Sequence, residues 1–111
     1  MKKRSYEVMI KVNDDVKLIP VHTYSLLEAA IIIVNRATYE RILAVTEVSA
    51  SRYHALKIAA AIANADTWLE CEEECIELCR LAGMESEWQE ADGDTFESVL
   101  NEAAKKLNVK I

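Results

Sequence analysis

The chain has 111 residues, a formal net charge of −6 and 51% apolar side chains. That is one domain by length, with about two-thirds of its unfolded surface available for burial and no need of metal or disulfide staples. The apolar fraction excludes a disordered chain, and no apolar run approaches the ~20 residues that span a bilayer. Ser5, Tyr6 and Glu7 follow the basic Lys2-Lys3-Arg4. No apolar signal core is present, so the expectation is a cytoplasmic protein without a targeting segment.

Residues 5–12, SYEVMIKV, alternate with period two, placing Tyr6, Val8, Ile10 and Val12 on one face of a half-buried strand. Asn13-Asp14-Asp15 is turn chemistry. Residues 16–23 make a second strand and complete a β-hairpin over 5–23. Pro20 cannot donate to a ladder, so this strand belongs at a sheet edge.

Ser25-x-x-Glu28 forms a capping box before a helix over 26–35. Leu27, Ala30, Ile31 and Val34 are its expected core stripe. Ile32 and Ile33 make the segment apolar nearly all round, which predicts cover on more than one side. Residues 39–48 carry mixed signals. Leu43, Val45, Thr46 and Val48 favour a strand over 42–48, whereas Ile42 and Val45 also stand at helical spacing. Hairpin, helix and third strand give a ββαβ unit, with the third strand antiparallel beside the first.

Three further helices are predicted, over 51–64, 67–82 and 95–107, giving an α+β fold. Ser49 and Ser51 offer caps for the first. Thr67-x-x-Glu70 is a capping box for the second, Arg80 suits its last turn, and Gly83 can take the left-handed conformation after it. Trp68, Cys71, Cys75, Leu78, Cys79 and Ala82 form its apolar stripe, widened by Leu69 and Ile76. Residues 84–93 read as an acidic loop around Trp88. Asp94 caps the last helix, whose buried face is Phe96, Val99, Leu100, Ala103 and Leu107, and Asn108 ends it.

Chemistry-bearing motifs are few. Cys71, Cys75 and Cys79 share one helical stripe, without the second Cys/His pair of a structural zinc site, and read as reduced core thiols. His22 and His54 stand isolated. Gly83 and Gly93 are the only glycines, so no phosphate-binding loop is present. Neither a catalytic constellation nor a cofactor or metal site is predicted, and the expectation is a non-enzymatic protein.

Charge is the most informative feature. From Asp66 to Glu97 there are twelve acids against Arg80 alone, whereas residues 1–65 hold nine basic and six acidic side chains. Glu70, Glu73, Glu74 and Glu77 on the helix, with Glu85, Glu87, Trp88 and Glu90 in the loop, form the candidate partner-binding surface. Carboxylates so arrayed steer association with a basic protein and can imitate a nucleic-acid backbone. In size and charge the chain resembles small acidic inhibitors from phages and mobile elements that occupy nucleic-acid-binding sites. Trp88 has two readings, an exposed anchor within the carboxylate rim or a lid packed over the last helix. The alternatives are a small ligand-binding or enzymatic domain using Cys or His, and a self-associating structural protein pairing through the sheet edge or a helix. Three basic residues ahead of an acidic body give little support for direct nucleic-acid binding.

Overall fold

The computed structural model describes residues 2–36 and 39–111, with the side chain of Trp68 outside the described set. The element order is β1 (Arg4–Val12), β2 (Asp15–Thr23), α1 (Leu26–Arg36), β3 (Arg41–Val48), α2 (Ala50–Ala63), a 3-10 turn (Trp68–Cys71), α3 (Glu72–Leu81), α4 (Glu85–Glu90) and α5 (Thr95–Leu107). The α+β class and the ββαβ unit are as expected. The chain divides into two compact units, Met1–Leu56 and Lys57–Ile111.

In the first unit the strands form one antiparallel sheet in the order β2-β1-β3. Asn13, with φ 57°, carries the chain through the tight β1–β2 turn. Period-two alternation puts Tyr6, Val8 and Ile10 of β1 and Val21 of β2 on the buried face, where Ala29 and Ile33 of α1 complete the core. β2 is an edge strand, as Pro20 requires.

A register shift in the β1–β3 pairing settles the mixed signal of residues 39–48. Met9 pairs with Ala44 and Ile10 with Ile42, leaving Leu43 as the extra residue of a bulge. Ile42 and Val45 stand three residues apart, yet both pack on the core. In an unbroken strand they would face opposite ways. The bulge therefore creates the helix-like spacing inside a strand.

The core stripe expected for α1 is corrected. Leu27 is 72% exposed, and Ile31 and Val34 are also exposed, whereas Ala29 and Ile33 are buried and Ala30 is half-buried. Among the described residues, the expected cover on more than one side is likewise not found: Leu27, Ile31 and Val34 face outward. The Ser25 cap does form: its Oγ accepts the Glu28 amide at 3.1 Å. The Glu28 carboxylate accepts the Thr23 hydroxyl at 2.6 Å, instead of reaching back to the cap amide.

The first turns of α2 lie on the other sheet face. Arg52 donates to Glu7 at 2.7 Å in a half-buried ion pair, and the Tyr53 ring lies 5.5 Å from that of His22. Glu7 and His22 alternate with the core residues Tyr6 and Val21, which puts them on that face. Ser49 caps α2, its Oγ accepting the Arg52 amide at 3.1 Å.

In the second unit, α3, α4 and α5 pack on one another. The single helix expected over 67–82 is corrected to a 3-10 turn followed by α3. Thr67 is extended and makes no side-chain cap bond, and Glu70 accepts the amide of Asp66, not that of Thr67. The chain thus enters as a tighter turn before the α pattern starts at Glu72. Leu69 and Ile76 do not widen the buried stripe; both are exposed. After α3, Gly83 takes φ 72°, and the Met84 amide closes on the Cys79 carbonyl at 2.7 Å. The expected loop over 84–93 is also corrected, because Glu85–Glu90 form a short helix. At the start of α5 the Thr95 hydroxyl, not Asp94, makes the local bonds, both to Asp92 at 2.8 Å. Asn108 ends α5 in the left-handed region.

Candidate functional site

The candidate surface is carried by the 3-10 turn, α3 and α4. Glu70, Glu73, Glu85, Glu87 and Glu90 are exposed, and Glu74 and Glu77 are half-buried. The inward face of α3, built from Cys75, Leu78 and Cys79, holds the carboxylates outward. Arg80 is the only cation of the 66–97 segment. Its guanidinium donates to both oxygens of Glu77. Those bonds, with the charge of Glu77 and then that of Glu85, push the Arg80 pKa up. Glu77 is therefore largely neutralised in place, while Glu85 on α4 lies within the field of a residue on α3. The acidic excess belongs to the remaining glutamates.

Trp88 does not lie on this surface. It is 6% exposed, and its ring lies 4.7 Å from that of Phe96. The exposed-anchor reading is corrected: Trp88 holds α4 against α5. The ring packs within the fold, tilted against Phe96, instead of facing solvent.

The cysteines are core thiols. Cys71, Cys75 and Cys79 are free and buried, with the Cys71 and Cys75 sulfurs 3.6 Å apart. Among the described residues no group of three or more His, Cys, Asp or Glu side chains could hold a metal ion. Burial, then the Cys71 hydrogen bond, pushes the Cys75 thiol from 9.0 up to about 12. Burial, then the Glu87 charge, raises Cys79. A thiolate nucleophile needs the opposite shift. Slow reaction of the native protein with iodoacetamide is the expected outcome.

The same shift carries a pH prediction. The unfolded chain releases the Cys75 proton near pH 9.0, whereas the folded chain holds it to about 12. The stability linked to that proton is fully present below pH 9.0 and is lost as pH rises toward 12. Denaturant midpoints should fall over this window, and Cys75→Ala should flatten the fall. An equally steep fall in Cys75→Ala would assign the effect to other groups.

His54 is exposed and His22 lies against Tyr53, so the histidines stand on different elements from the thiols. No helix among the described residues is long and apolar enough to cross a membrane. No protein-family model, curated protein or solved structure matches the chain.

Proposed function

We propose that the chain is a non-enzymatic binding module whose α3–α4 carboxylates engage a basic protein. The observation that carries this reading is the imbalance on that surface. Glu70, Glu73, Glu85, Glu87 and Glu90 are exposed on consecutive elements, and the one cation of the segment is committed to Glu77. Like charges held together on a packed scaffold cost stability through self-repulsion. They also project a field that accelerates encounter with a cationic surface. A groove that normally holds nucleic acid is a partner of matching chemistry, and competition with nucleic acid for such a groove is the proposed action.

The test is Glu73→Lys/Glu85→Lys/Glu87→Lys, with association kinetics measured against the basic protein captured from the native host. At low salt the association rate should fall by roughly tenfold or more, and the remaining rate should depend less on ionic strength. Melting temperature should hold or rise, because exposed carboxylates contribute little to stability. Association unchanged in the folded variant would refute the proposal.

A further inference from the structure

We infer that a cleft along the outer edge of β2 binds a small organic carboxylate with an apolar body. The cleft is open, measures about 480 Å³, and lies wholly within the first unit. Its size falls in the range of small-molecule sites. Ile19 and Val21 of β2, with Ile32 and Ile33 of α1, supply apolar walls. Arg36, His22 and Tyr53 supply the polar rim.

The rim selects charge. Arg36 closes α1, is exposed and has no ion pair among the described residues. A guanidinium offers a planar fork that matches a carboxylate in two parallel bonds. The His22 ring is set by its neighbours: Nδ1 lies 3.3 Å from the Ser5 hydroxyl, and the ring is tilted 39° from that of Tyr53 at 5.5 Å. Nε2 is thereby left for a second polar contact. The isoleucine walls add affinity only for a ligand with hydrocarbon to bury, which separates an alkyl or aryl acid from inorganic phosphate.

A free sheet edge also suggests an added peptide strand. Pro20 argues against that occupant. It lies in the middle of β2 and lines the cleft, and it has no N–H to offer a new ladder. The arrangement therefore favours a compact ligand over an extended chain.

The experiment is a titration of the isotope-labelled protein with octanoate and with phenylpropionate, followed by amide chemical shifts. Shifts should concentrate at Ile19, Val21 and His22, across residues 32–36, and at Tyr53. Arg36→Gln, an exposed change, should weaken both acids by about tenfold. It should leave the weaker binding of phenylpropanol unchanged, and inorganic phosphate should move none of these resonances. Equal affinity for acid and alcohol, an unaffected Arg36→Gln variant, or no shifts in these segments at millimolar acid would overturn the inference. Failure with the acids, together with exchange protection of β2 amides by an extended apolar peptide, would overturn it in favour of strand docking. None of these outcomes bears on the α3–α4 carboxylates, so this site and the acidic surface stand or fall separately.

Discussion

Trp88→Ala is expected to lower stability by about 3–5 kcal/mol, the range for removing a large aromatic from a packed interior. Trp88 is buried between its own short helix and α5, with the Phe96 ring at 4.7 Å. A six-residue helix cannot persist on its own hydrogen bonds, so α4 depends on this side chain for its place. Loss of the indole should release α4 as well as leave a cavity. The measurement is denaturant unfolding followed by circular dichroism, with Trp88→Phe as the milder companion. Trp88→Phe should recover a large part of the loss, because a ring still packs on Phe96. A change below about 1 kcal/mol in Trp88→Ala would return Trp88 to the surface. The binding proposed for the acidic face should fail in Trp88→Ala only to the extent that the protein unfolds, which separates a scaffold role from an anchor role.

The difference between Trp88 and the strands shows what a sequence makes legible. Tyr6, Val8 and Ile10 announce their common face because one local rule, period two, coincides with burial of one sheet face. Pro20 announces an edge because its missing N–H is a local fact with a topological consequence. Trp88 carries no such local mark. Its partner Phe96 belongs to the next helix, and its own helix is too short to show periodicity. The Thr67 box fails for a similar reason: the spacing T-x-x-E allows a cap, but a 3-10 start turns Glu70 toward the Asp66 amide. The β3 bulge misleads in the other direction, giving Ile42 and Val45 a helical separation inside a strand.

The acidic surface was legible as charge, since carboxylates in this number must largely face water whatever the fold. Its internal division was legible only in part. That Glu77 neutralises Arg80 follows from two side chains one turn apart, whereas the placement of Glu85 near that pair depends on the turn at Gly83. The cleft beside β2 was least legible. Arg36, His22 and Tyr53 come from three elements and have no common spacing. His22 alone could be noticed in the sequence, and only as an isolated ring.

Ile33→Ala is expected to cost about 2–5 kcal/mol, and Leu27→Ala about 0.5 kcal/mol or less. The two residues lie on one helix and have similar side chains, yet Ile33 is 3% exposed and Leu27 is 72% exposed. Ile33 lies with Ala29 against Tyr6, Val8, Ile10 and Val21, where loss of its branch leaves space between helix and sheet. Leu27 loses only solvent-facing surface, and alanine is the better helix former, which offsets part of any loss. The pair isolates helix rotation from helix stability, because both changes leave α1 equally helical or more so. Thermal and denaturant unfolding of the two variants reads the difference directly. Similar losses in both would mean that a second surface covers the Leu27, Ile31 and Val34 side of α1. A larger loss in Leu27→Ala would mean α1 is rotated by about 120° on the sheet, with Ile33 removed from the wall of the β2 cleft.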